Sequence, residues 1–300
     1  MIGRLRSLSR FHPDLRVAAL LAPRRAVTPR SLPVMRLFTR AIRGTGPDVY
    51  VFEPGVSVRW FCPSARGGTE RGAALLWIHG GGYVFGRAAQ DDALCRRFAE
   101  RLGIAVASVD YRLAPEHPYP TPLEDCLRAY EWLRHRPDVD PARIAVAGAS
   151  AGAGLAAALS LLVRDRGIPA PVFQLLVYPM LDDRTATGPA QTRMWDGYTN
   201  RFGWESYLGG ADPETAVPAR RSDLFGLPAA WIGVGTQDLF FDECRAYGEL
   251  LRASGVRCDL HIVDGAFHGF DSVASRTGVA RGFFAEQCAA LETALYPEGS

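Results

Sequence analysis

The chain has 300 residues, 48% of them hydrophobic and 22% charged, which is enough apolar content for one large globular domain and argues against a disordered or fibrous chain. Its 34 basic residues, all arginine, nearly balance 32 acidic ones for a formal charge of +2. With no long basic block, nucleic acid is excluded as a partner.

The N-terminus opens with Arg4, Arg6 and Arg10 and a short apolar stretch from Val17 to Ala22, closed by Pro23. That stretch is too short to span a membrane and lacks a signal-peptide pattern. A helix packed on its own domain, rather than on a lipid surface, is the expected reading, and no stable membrane insertion follows from it. After about residue 45 the text turns to apolar runs separated by amphipathic ones. Strands are expected near Val49–Phe52, Val56–Phe61, Ala73–His79 and Ile104–Val109, with a helix over Gln90–Leu102. The rhythm continues with a helix at Leu123–Arg134, a strand at Arg143–Ala147, a small-residue helix after Ser150 and a strand at Val172–Tyr178. It resumes with a strand at Ala229–Val234, a helix over Glu243–Ser254, a strand at Arg257–Val263 and a final helix over Gly278–Leu295. Repeated strand–helix–strand units predict an α/β fold with a mostly parallel central sheet and helices on both faces.

Between Asp182 and Leu227 the pattern breaks into an aromatic segment with Met194, Trp195, Tyr198, Phe202, Trp204 and Tyr207. Such aromatic density does not belong in a solvated linker. The predicted organisation is therefore residues 1–45 as N-terminal cap helices and 46–300 as the main domain, with a cap insertion at about 183–227 above the C-terminal edge of the sheet, where open α/β sheets bind ligands. Six scattered cysteines (Cys62, Cys95, Cys126, Cys244, Cys258, Cys288) form no Cys-x-x-Cys pair and no zinc pattern, and read as thiols of a reducing compartment, here the cytoplasm.

The chemical signal is Gly148-Ala149-Ser150-Ala151-Gly152 between a strand and a small-residue helix. Gly-x-Ser-x-Gly spacing arises readily by chance in a chain with 31 glycines. The strand before it and the helix after it supply the context: a sharp turn that presents a serine, with small neighbours that let chain and helix approach. Upstream, His79-Gly80-Gly81-Gly82 ends a strand, and a glycine turn can aim backbone N–H groups at a carbonyl oxygen gaining negative charge. The expected donors are Gly80, Gly81 and Ala151. A phosphate-cradling loop is the rival reading, but no Gly-Lys-Ser/Thr follows.

A serine needs a base, and the base an orienting acid. His268 is the chosen base because it follows a strand in a glycine-flanked loop. His261 lies within that strand, and His117 and His135 precede the serine. Asp238, after the strand Ala229–Val234, is the chosen acid, ahead of Asp242 at a helix start and Asp264 in the histidine's own loop. Ser150, Asp238 and His268 then follow the chain order of this chemistry.

The segments HGGGYVFG (His79–Gly86), DYRLAPEHPYPTPLEDC (Asp110–Cys126), GASAGAG (Gly148–Gly154), DLFFDE (Asp238–Glu243) and FHGF (Phe267–Phe270) resemble the hormone-sensitive-lipase-like carboxylesterases of bacteria over nearly the whole chain. The resemblance implies the α/β-hydrolase fold with a helical cap, and hydrolysis of small or short-acyl esters as small-molecule substrates. It also implies no metal or organic cofactor, and a homodimer as a reasonable assembly. Ala149 stands where Asp or Thr is most frequent and Ala153 where glycine is common; neither removes a reacting group. An amide or peptide hydrolase with the same residues, and a non-catalytic binding module such as the gibberellin receptors of plants, are the competing readings; the latter lack the working histidine that His268 supplies. Asp110, Arg112 and Glu116 are expected in ion pairs that hold their loop near the serine turn.

Overall fold

The computed structural model describes residues 8–25, 27–42, 44, 47–63, 71–189 and 192–297; the opening Arg4 and Arg6 lie outside them. Eight strands form one sheet: β1 (Asp48–Glu53), β2 (Val56–Phe61), β3 (Gly72–Ile78), β4 (Ala105–Asp110), β5 (Val139–Ala149), β6 (Phe173–Val177), β7 (Ala229–Gly235) and β8 (Cys258–Val263), in the order β1-β2-β4-β3-β5-β6-β7-β8. β2 pairs antiparallel with both β1 and β4, and every pair from β4 to β8 is parallel. This is the expected mostly parallel α/β sheet.

The central strands are continuous apolar runs because helices cover both their faces. Leu75, Leu76, Trp77 and Ile78 of β3 are at most 1% exposed, each contributing about 1.5–3 kcal/mol when removed from water. Helices α3 (Asp92–Leu102) and α8 (Gly278–Leu295) pack on each other, with the rings of Phe98 and Phe284 4.9 Å apart; α4 (Thr121–Arg134) and α5 (Ala151–Asp165) pack together likewise. α7 (Phe241–Ala253) lies against β7 and β8. β5 begins four residues earlier than the apolar pattern indicates. Its pairing with β3 jumps from Gly72↔Val139 to Ala74↔Ile144, and the intervening stretch holds Pro141, which cannot donate to a ladder.

Register decides where the chemistry sits. Ile78 lies opposite Gly148, Ala149 opposite Val177, Val177 opposite Gly233, and Gly235 opposite Val263. The chain therefore leaves β3, β5, β6, β7 and β8 at one edge of the sheet, the C-terminal edge at which open α/β sheets gather ligands.

Over that edge lie two segments distant in sequence. The first holds α1 (Arg16–Leu21) and α2 (Leu32–Ala41); the second holds α6 (Gly197–Leu208). They meet through side chains that reach backbone: Arg193 Nε donates to Ala19 O at 2.7 Å and Thr199 Oγ1 to Val27 O at 3.2 Å, while Met194 N–H donates to Pro23 O at 2.7 Å. Phe11 is buried in edge-to-face contact with Phe267, the neighbour of His268, under the Arg193 guanidinium, and His12 N–H donates to Gly265 O. Outward, Val17, Leu20, Leu21, Val34, Leu37 and Phe38 are all more than half exposed. Among the described residues, no helix is long and apolar enough to cross a membrane.

The proline-rich loop after β4 is held by ion pairs, as expected. Arg112 forms a bidentate pair with the fully buried Asp125 (2.6 and 2.9 Å), and Glu116 accepts two bonds from Arg36 of α2 (2.6 and 2.8 Å). Asp110 accepts the Ala88 N–H at 2.9 Å and lies 4.0 Å from Arg87 Nη2, so it ties the loop to the chain leaving the glycine turn.

Candidate active site

Ser150 occupies the single residue between β5 and α5, with φ +57° and ψ −122°. A non-glycine residue at positive φ costs on the order of 1–3 kcal/mol and persists only where its surroundings over-determine it. Here they do: Ser150 N–H donates to Val177 O (2.9 Å), and Ser150 O accepts from Gly154 N–H (3.0 Å) and Met180 N–H (3.1 Å). The flanking glycines are required by contact. A Cβ on Gly148 would lie 2.4 Å from the Gly152 carbonyl carbon, and one on Gly152 2.1 Å from Ile78 O.

The structure brings the three predicted side chains together. His268 Nε2 lies 2.9 Å from Ser150 Oγ, and His268 Nδ1 lies 2.9 Å from Asp238 Oδ2. A carboxylate accepts, so Nδ1 carries the proton and Nε2 is left as the acceptor facing the serine hydroxyl. Asp238 is fully buried, and its other oxygen accepts the Phe240 N–H at 3.0 Å, which fixes the carboxylate plane. The imidazole is held edge-to-face by Tyr178 (4.8 Å) and Phe240 (5.1 Å).

The rival residues lie elsewhere. His261 stacks on Trp231 within β8, His135 closes the C-terminus of α4, and Asp242 is exposed in the first turn of α7. Asp264 accepts from Thr236 Oγ1 at 3.0 Å, and His117 lines a hollow of ≈ 440 Å³ behind the glycine turn that contains none of the three.

The glycine turn is fixed through its carbonyls. Gly80 O accepts from His79 Nδ1 (2.8 Å) and Gln90 Nε2 (3.4 Å), and Gly81 O accepts from the Val84 and Phe85 N–H groups, both at 3.0 Å. Complete burial lowers the His79 pKa, which keeps that ring neutral while it stacks on Tyr111 at 4.3 Å. In a trans peptide the carbonyl of one residue and the N–H of the next point opposite ways. The two pinned planes thus carry the amides of Gly81 and Gly82, and the plane pinned at Ser150 O carries that of Ala151. The Gly80 amide shares its plane with His79 O, which accepts the Tyr111 hydroxyl at 3.0 Å. Gly81 has φ +129°, and a Cβ there would lie 1.8 Å from Phe85 O.

Ser150, His268 and the glycine triplet share a cavity of ≈ 180 Å³. Two of its walls, Tyr178 and Asp91, carried no functional reading in the sequence, and two more, Met194 and Trp195, were expected only as part of the cap. Tyr178 follows β6 at φ +36°, and Asp91 ends a short 3-10 turn (Ala88–Asp91). Met194 and Trp195 come from the aromatic segment, whereas Trp204 packs in the core against Tyr83 and Tyr207. Tyr178 was legible only as the end of a strand, Asp91 only as part of a helix start, and Trp195 only as one of the aromatics of the expected cap.

A family profile described as the α/β hydrolase fold matches residues 75–272. The chain is 37% identical to Esterase LipI of Mycobacterium tuberculosis over 251 residues, 79% of this chain and 76% of that one. It is 35% identical to Carboxylesterase NlhH of the same species over 284 residues, 89% and 86% of the two chains. Among solved structures, esterase LipW from Mycobacterium marinum superposes with a TM-score of 0.85 at 36% identity, covering 97% of this chain and 98% of that one; a bacterial heroin esterase gives 0.87 at 34%, covering 96% and 99%. With its sheet order, its serine turn and these relatives in agreement, the chain belongs to the α/β-hydrolase family, in the hormone-sensitive-lipase-like branch of bacterial carboxylesterases.

Proposed function

We propose that this carboxylesterase hydrolyses small or short-acyl esters through an acyl-enzyme formed on Ser150. The observation that carries the reading is the unbroken line from Asp238 to His268 to Ser150, two contacts of 2.9 Å each. Ser150 Oγ attacks the ester carbonyl as His268 Nε2 takes its proton. Asp238 stabilises the tautomer this needs and the imidazolium it produces. His268 then protonates the leaving alcohol, and a water activated by the same nitrogen releases the acid.

For the oxyanion we propose the amides of Gly81 and Ala151 with a second amide of the triplet. The pinned peptide planes favour Gly82 over Gly80 for that place, because the Gly82 amide opposes a carbonyl turned into the loop. A cavity of ≈ 180 Å³ suits a short acyl chain or one small ring, since a void of about 150 Å³ accommodates benzene.

We further take residues 1–45 and about 183–227 to act together as a cap; the hydrogen bonds that join their described parts support this. Six free thiols, five of them buried, favour a cytoplasmic setting, and a homodimer is the assembly we expect, to be read by sedimentation.

Hydrolysis of p-nitrophenyl esters from acetate to long acyl chains tests the activity. We expect the short esters to turn over and the Ser150→Ala chain to be inactive. Turnover surviving in Ser150→Ala, or a profile that rises with acyl length, would overturn the assignment of the nucleophile or of the substrate size respectively.

A further inference from the structure

We propose that Asp91 makes this pocket selective for small esters that carry an ammonium group near the scissile bond; the inference rests on the ester-hydrolase reading above and names its substrate class.

The cavity that holds Ser150 and His268 presents aromatic walls, Phe85, Tyr178 and Trp195, and one carboxyl group, that of Asp91. The chain has 34 basic residues, all arginine, yet no arginine is among the residues that line this cavity. Aromatic faces with a single carboxylate between them are the chemistry that receives an ammonium ion: the ring quadrupoles attract the cation and the carboxylate supplies its counter-charge.

Asp91 lacks the partner that its neighbour has. Asp92 is clasped by Arg59 through two bonds of 2.6 Å. Asp91 has only the neutral donor Trp77 Nε1, at 2.8 Å on Oδ2, and no ion pair among the described residues. The groups facing it from the surrounding elements give it no cation. They are Asp271, which accepts the Tyr178 hydroxyl at 2.8 Å, Asp92 with its arginine already engaged, the Cys95 thiol, and the hydroxyls of Tyr111 and Tyr178; His268 stands across the cavity. Burial, with Asp271 and Asp92 adding to it against the Trp77 hydrogen bond, pushes the carboxyl up to about 7. A carboxylate so placed is costly to ionise alone, and a bound ammonium removes that cost.

The sign of the pH effect follows. Below about 7 the Asp91 carboxyl is neutral, and only the ring faces distinguish a cationic ester from its uncharged isostere. Above it the carboxylate is charged and favours the cation.

The test compares kcat/KM for acetylthiocholine with that for its isostere in which carbon replaces the quaternary nitrogen. The p-nitrophenyl ester of trimethylammonio-butyrate and its carbon isostere probe the acyl side. In the unaltered chain, the cation-to-neutral ratio on at least one side should rise about tenfold between about pH 6 and about pH 8, the change in ionised fraction of a group titrating near 7. In Asp91→Asn, which keeps an oxygen for Trp77, that rise should vanish. A flat ratio on both sides in the unaltered chain, or a rise that persists in Asp91→Asn, overturns the proposal even if the neutral esters are good substrates. If the variant does not fold, the ratio in the unaltered chain still decides. Failure of all neutral esters at every pH overturns the ester-hydrolase reading instead, and this proposal with it.

Discussion

The floor of the active site and the roof above it are built by different means. The floor is strand ends: Ala149, Val177, Gly233 and His261 stand opposite one another in one continuous parallel register, and Ser150, Asp238 and His268 follow these strands. Its chemistry is held by backbone ladders and by the three hydrogen bonds around the Ser150 peptide. The roof is two stretches of chain far apart in sequence, joined by a few side-chain-to-backbone bonds, with large apolar side chains of α1 and α2 facing outward. Reacting atoms need placement within fractions of an ångström, and the sheet supplies it. The roof supplies two pocket walls, Met194 and Trp195, without carrying any of the three reacting groups.

That contrast can be broken in three places. The largest effect is expected on the floor: Asp238→Asn should leave the fold in place and lower kcat by about 10³–10⁴-fold, read with a short p-nitrophenyl ester against an unchanged circular dichroism spectrum. A loss below about tenfold would mean that the His268 tautomer is set by something other than Asp238. Next comes the junction. Phe11→Ala removes a ring wedged between Phe267 and Arg193 and should cost about 3–5 kcal/mol. Hydrogen exchange should quicken in α1, α2 and the His268 loop before β3 and β5; uniform quickening across the sheet would show that roof and floor open as one unit. The smallest effect belongs to the roof's outer face, where Leu37→Ser at a position 68% exposed should change stability by no more than about 0.5 kcal/mol in chemical denaturation. A larger loss would mean that the outward apolar residues are covered in solution.

The same division explains what was legible in the sequence. The central parallel strands announced themselves because strands buried on both faces must be continuous apolar runs, and β2 and α8 fall on the residues expected. Ser150, His268 and Asp238, the proposed triad, were legible as a set because each follows a readable strand, and the structure brings their side chains together. The glycine turn proposed for the oxyanion is a readable motif, but which of its amides face the pocket depends on peptide planes fixed by Gln90, Val84 and Phe85, and no pattern of residue types encodes that. The proline-rich loop was expected to be held by ion pairs, and it is, but their partners were not legible: Arg112 and Glu116 pair with Asp125 and Arg36, the latter brought in from α2, 80 residues upstream of Glu116. Asp91 was hidden by its neighbour. Two adjacent aspartates at a helix start look alike in text, and only the fold sends one to Arg59 and the other to the pocket.

The glycines around the serine turn have a consequence for how this chain tolerates change over generations. Gly148, Gly152 and Gly154 each lie so close to backbone atoms of another segment that a methyl group would sit within 2.4 Å of one, whereas Ala149 and Ala153 already carry theirs. Mutational tolerance along residues 148–154 should therefore be narrowest at the three glycines, where any side chain meets backbone. A saturation screen scored only for folded protein, with no substrate present, would outline the nucleophile by the ring of positions around it that admit nothing but glycine.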